Sequence, residues 1–278
     1  MRRSRIAAVL LPATLLSSGG TLARTPPVQA PLETLLPWAP GEGAWELSFS
    51  TRWSDDARPA FFTASRRDAR AHLEGPAVDL SYGVGRSGEV RLRAGAQAIW
   101  PAEADPAWGP SDTRLSFSQQ LARGRVAASA GFEVKLPNAS RDDLLGTDET
   151  DVALIAAAGG LGPGGGWGWA AHAGLLLAGN PRPEGGQDDL LAFGAALWRS
   201  AGTGGGRRVT LMGEVAGTAA SRFGNDARRA RAGLIWSGRL PIHVVAGRGL
   251  TSASEDWSVQ AGVTVLGPRG AAHPEPSP

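Results

Sequence analysis

Residues 44–53, AWELSFSTRW, decide how the rest of the chain is read. Successive side chains of an extended chain point to opposite faces. Trp45, Leu47, Phe49, Thr51 and Trp53 therefore share one face, and Glu46, Ser48, Ser50 and Arg52 share the other. The two tryptophans are separated by about 26 Å along a strand, or roughly 20 Å at the tilt of barrel strands. That separation is close to the height of an outer-membrane apolar band edged by aromatic girdles. An amphipathic strand of a soluble β-protein would carry the same pattern, so the remaining chain must discriminate.

Alternation recurs along most of the sequence. Val78, Leu80, Tyr82 and Val84 alternate with Asp79, Ser81 and Gly83, and a tight turn at 85–88 follows. Val90, Leu92 and Trp100 then belong to one strand, Leu115, Phe117 and Leu121 to the next, and Val126, Phe132, Val134 and Leu136 to a fifth. Seven more strands are predicted near 149–160, 167–178, 188–199, 207–218, 226–237, 241–250 and 255–266. Short turns near 85–88, 122–125 and 238–240 alternate with longer polar loops near 54–69, 101–111, 138–148, 179–187 and 219–225, as in membrane barrels. Tryptophans gather near strand ends: Trp45, Trp53, Trp100, Trp167, Trp236 and Trp257 read as interface aromatics, and Trp198 also lies near an end. The expected fold is all-β, a twelve-stranded antiparallel transmembrane β-barrel over 44–266.

The flanking segments fit that topology. Residues 1–23 read as a secretory signal, with Arg2, Arg3 and Arg5 before an apolar core interrupted by Pro12, and Thr21-Leu22-Ala23 at the cleavage site. Cleavage after Ala30 is the second option. Residues 24–43 are rich in proline and read as an irregular periplasmic lead-in in which Leu32, Leu35 and Leu36 form one short helical turn. Residues 267–278 form a disordered C-terminal tail, and the chain lacks the terminal aromatic common in outer-membrane strands. Three of the 28 basic residues lie in the signal, leaving 25 against 26 acidic ones, so charge gives no case for nucleic acid. The absence of cysteine excludes a disulfide scaffold and a cysteine-linked lipid anchor.

The face opposite the apolar one would line the barrel. By parity it carries Glu46, Arg52, Asp79, Glu89, Arg91, Arg93, Arg114, Glu133, Lys135, Glu214, Arg229 and Arg231, seven basic and five acidic. Interior charge sets pore selectivity, and a basic excess suits carboxylated or phenolate-like solutes. Alternatively these charges pair across strands and fill a narrow barrel, as Asp79 with Glu89, Arg91 and Arg93 are placed to do.

The segments GAWELSFS (43–50), DLSYGVGRSGEVRLRAG (79–95), SDTRLSFSQQL (111–121), GFEVKLPNASRDDLLGTDETDVAL (131–154), VTLMGEVAG (209–217) and ARAGLIWSGRLPIHVVAGRGL (230–250) together resemble an outer-membrane transporter family. That family is named after the MetA phenol-degradation pathway and is similar to the exporter barrel of functional amyloid. The resemblance implies a twelve-stranded barrel and a channel or transporter role.

Other chemistry finds little support. Asp142, Asp143, Asp148, Glu149 and Asp151 form a dense acidic stretch, but their spacing matches no calcium loop, and a solvated external loop fits better. Docking to lipopolysaccharide through divalent ions is a weaker option. Gly159–Gly168 lacks the Gly-Lys-Ser/Thr ending of a phosphate loop, and Lys135 is the only lysine. The histidines at 72, 172, 243 and 273 show no metal-ligand spacing, and there is no Gly-x-Ser-x-Gly, so no enzyme, metal or cofactor is expected.

The reading is an outer-membrane channel or transporter for small aromatic or anionic solutes. Its expected partners are outer-membrane lipid, lipopolysaccharide, the barrel-assembly machinery, the solute and a second copy in a homo-oligomer. A structural or export barrel plugged by residues 24–43 and serving a secreted protein is the alternative. A soluble periplasmic β-sandwich comes third.

Overall fold

The structure is a computed structural model that describes residues 32–55, 69–101, 105–140, 145–146, 148–163, 166–179, 189–204, 207–220, 226–251 and 254–267. The expected signal segment, residues 24–31 and the tail from 268 lie outside them. The strands are β1 (Trp45–Asp55), β2 (Ala69–Val84), β3 (Gly88–Pro101), β4 (Ala107–Pro110), β5 (Thr113–Ala122), β6 (Val126–Leu136) and β7 (Asp151–Leu161). The second half supplies β8 (Trp167–Leu177), β9 (Asp189–Gly204), β10 (Arg207–Ala220), β11 (Ala227–Ser237), β12 (Ile242–Gly249) and β13 (Trp257–Leu266).

Short β4 and long β5 pair with the same edge of β3, at Ala96–Ile99 and Gly88–Arg93, and together fill one place in the ring. The ring therefore has twelve places, all antiparallel. It closes where β1 meets β13, in unbroken register from Glu46 opposite Leu266 to Asp55 opposite Trp257. A closed sheet has no open edge to present to lipid. Closure overturns the sandwich reading, which requires two facing sheets.

Alternation sorts the side chains as a barrel demands. Phe49, Leu92, Phe132, Leu154, Leu211 and Val244, from six different strands, stand exposed on the outer face. Ser48, Ser129, Thr210, Thr218, Ser258 and Thr264 are buried on the inner one. Trp45, Trp167 and Trp236 lie at the short-turn end, the periplasmic side of a membrane barrel, while Trp53, Trp100 and Trp257 lie at the long-loop end. Trp53 stacks on Trp257 with ring centroids 4.4 Å apart, and the Trp257 indole N–H donates to Asp55 Oδ2 at 3.0 Å, pinning the closing seam.

Two expectations change. β2 begins at Ala69, where the expected loop ends and well before Val78; a register shift between Glu74 and Ala77 interrupts the alternation that would have shown it. A bulge of this kind moves the inward set from even to odd positions, so His72 and Glu74 share the inner face with Ala77 and Asp79. Among its described residues the lead-in forms no helical turn, and residues 32–38 lie inside the barrel and not in the periplasm.

Candidate functional site

The lead-in enters the lumen from the periplasmic mouth. Gly43, in a left-handed conformation (φ 72°), turns the chain out of β1, and its N–H donates to Gly83 O at 3.0 Å. From there residues 40 to 32 climb the interior. Trp38 meets the edge of Trp198 at 6.1 Å, and Leu32, Leu36 and Trp38 pack on Ala170, Ala196, Trp198, Met212, Ile235 and Val245. The Thr34 N–H donates to Glu214 Oε1, and the Leu35 N–H donates to His172 Nδ1 at 3.2 Å. Above them Glu33 Oε1 meets Arg231 at 3.0 Å, Arg52 at 3.1 Å and Arg229 at 3.2 Å.

Each charge of the inner face has a definite setting. Arg91 grips Asp79 through two bonds, at 2.5 and 2.6 Å, and Arg93 takes Glu74 at 2.6 Å. Glu89 accepts from Ser81 and Ser118. Arg114 faces Glu133 at 3.7 Å, and Arg231 reaches Glu214 at 3.3 Å. Arg52 and Arg229 also contact Glu255, which the loop before β13 supplies. Glu46 lies on the inner face of β1 opposite Ser81. Lys135 is fully buried between Asp112 (3.2 Å) and Asp151 (2.9 Å).

The interior is thus two-sided. Strands β1, β2, β3, β5, β6 and β11 carry most of the charge, whereas β7, β8 and β9 turn inward Ala153, Ile155, Ala157, Leu176, Leu190 and Ala192. The lead-in spans both sides, with leucines on apolar surface and a carboxylate on the arginines. Asp151, expected in a solvated acidic loop, is instead a buried partner of Lys135, and Asp142 and Asp143 lie outside the described residues.

Parity alone missed four participants. Glu33 sits outside strands, where alternation carries no information; Glu255 shares the parity of outward Trp257 in the strand expected over 255–266, but that strand begins only at Trp257; and Glu74 was hidden by the bulge. Trp198, taken for a strand-end tryptophan, faces inward opposite Met212 and is 3 % exposed. Leu191 and Leu197 are exposed at odd positions of β9, so the even-numbered Trp198 faces inward by the same alternation.

Glu33 and Glu255 are carboxylates in a partly desolvated setting. Burial pushes both up, but Arg229 and its neighbouring arginines outweigh it and hold both carboxyls below the usual carboxylate range. A depressed value means that the docking contribution of Glu33 is fully present above its ordinary pKa of about 4.3 and is lost only as pH falls through the lower docked value. Acidification from pH 8 to 5 is therefore expected to leave the time-averaged current unchanged. A rise in that current centred near pH 6 would show that another group holds the segment.

No family model matches the chain, and no curated protein sequence matches it. Among solved structures it is similar to the COG4313 outer membrane channel from Pseudomonas putida F1, with 14% identity over 84% of this chain and 97% of that one, and a TM-score of 0.56. It is also similar to the NanC porin, with 7% identity over 80% of this chain and 98% of that one, and a TM-score of 0.50. At these identities the likeness is one of fold. A closed barrel of this fold with an apolar outer face belongs in the bacterial outer membrane.

Proposed function

We propose that the protein is an outer-membrane channel for small anionic solutes, aromatic ones included, whose lumen is closed by its own residues 32–40. The observation that carries this reading is Glu33 held by Arg52, Arg229 and Arg231 inside the barrel. The wall of that site supplies three cations and two carboxylates, Glu214 and Glu255, so it is basic once Glu33 is withdrawn. Such a ring favours anions. The resemblance to the phenol-degradation transporters supports an aromatic solute.

Glu33→Gln removes the charge that anchors the segment. In planar bilayers with a KCl gradient, this variant is expected to conduct more often than the wild type and to show a reversal potential of anion selectivity. Cation selectivity would overturn the reading. A folded variant with no conductance steps would favour the export barrel instead.

A further inference from the structure

We infer that the surface covered by Leu32 and Glu33 is a binding site for an amphiphilic carboxylate, one carboxyl group on a compact apolar body, which displaces the two residues when it binds. This inference rests on the channel reading for its purpose but not for its test.

The first observation is charge. Arg52, Arg229 and Arg231 are fixed on strands, and their wall partners Glu214 and Glu255 leave one positive charge uncompensated without Glu33. Glu33 belongs to a segment outside the sheet, so the charge balance of this wall rests on a replaceable group.

The second is unused binding capacity. The three arginines converge on one oxygen, Oε1, of Glu33. Arg229 Nε is buried and has no hydrogen-bond partner among the described residues. A guanidinium takes a carboxylate best through two parallel N–H bonds, and the tethered Glu33 does not engage Arg229 in that way. An untethered carboxylate is free to turn and occupy both Nε and Nη of Arg229.

The third is the neighbouring seat. Leu32, one residue from Glu33 and so about 3.8 Å away along the backbone, is buried in the apolar cluster that also holds Ala170, Ala196, Trp198, Met212, Ile235 and Val245 and that Leu36 and Trp38 pack against. An apolar seat and a cationic seat thus adjoin at the spacing of two consecutive residues. His243, across from Ile235, has a buried Nε2 with no hydrogen-bond partner among the described residues.

The test is calorimetric titration of the full-length protein in nanodiscs with 3-phenylpropanoate, 3-phenylpropan-1-ol and acetate. The phenylpropanoate is expected to bind and the other two to bind at least tenfold more weakly, since each keeps only one of the two recognition elements. Glu33→Gln, which weakens the internal competitor, is expected to tighten phenylpropanoate binding by roughly tenfold. Arg229→Lys, which keeps the charge but removes the fork, is expected to lose that gain. Equal binding of alcohol and carboxylate would reduce the site to apolar partitioning and overturn the inference, as would unchanged affinity in Glu33→Gln. A barrel that never conducts yet binds in this pattern would sink the channel reading alone.

Discussion

A chain lacking residues 32–40 conducts roughly tenfold more, or better, than the intact barrel, because several independent restraints go at once and each 1.4 kcal/mol is a factor of ten. Hydrogen bonds to charged groups are each worth about 1.5–3 kcal/mol. Glu33 makes three contacts of that kind, and the Thr34 N–H adds another to Glu214. Loss of a single one shifts the docked-to-free ratio by an order of magnitude, so Glu33→Gln is a partial version of the deletion. The strands do not depend on the segment for backbone pairing, and the deletion stops short of the Gly43 turn at the mouth. Heat-modifiable migration on gels is therefore expected to be retained while time-averaged current rises. A folded deletion variant with wild-type current would show that the segment is not what closes the lumen.

The second large effect is at the outer rim. Lys135→Met is expected to destabilise the barrel by about 3–5 kcal/mol, the range for removing one partner from a buried ionic group. The ammonium has no exposed surface, and Asp112 and Asp151 flank it at 8 % and 4 % side-chain exposure. Without it two buried carboxylates face each other. Both also hold loops: Asp112 accepts from the Asn138 and Ala139 N–H groups at 3.1 and 3.0 Å, and Asp151 accepts from the Gly179 N–H at 2.7 Å. Urea unfolding in lipid vesicles measures the loss. Adding Asp112→Asn and Asp151→Asn to Lys135→Met is expected to recover part of it, since neutral amides no longer repel. An unchanged midpoint in the single variant would place the stability of the rim elsewhere.

Much of the fold was legible because a strand has a period of two and one face of each strand met lipid. Phe49, Leu92, Leu154 and Val244 report that period directly, and the facing charges follow from it. Legibility ended where the period did. The bulge at Gly75 and Pro76 inverted the parity of β2 and concealed Glu74, the partner of Arg93. Glu33 had no period to be read from, and a proline-rich lead-in outside the barrel has the same composition as one folded within it. The site arises from residues far apart in sequence, Glu33 with Arg229 and Arg231, which only barrel closure and the inward climb of the lead-in bring together.

The seam between β1 and β13 carries a kinetic consequence. Asp55 and Trp257, joined by the indole bond, stand 202 residues apart. Closing a flexible loop of that order costs about 5 kcal/mol in chain entropy, and no local contact repays it before the last strand arrives. Until then an unclosed sheet has two bare edges, and β1 stands paired to β2 on one side only. The first strand in the chain is thus among the last to be fully paired, and its free edge is covered only when Trp257 reaches Asp55.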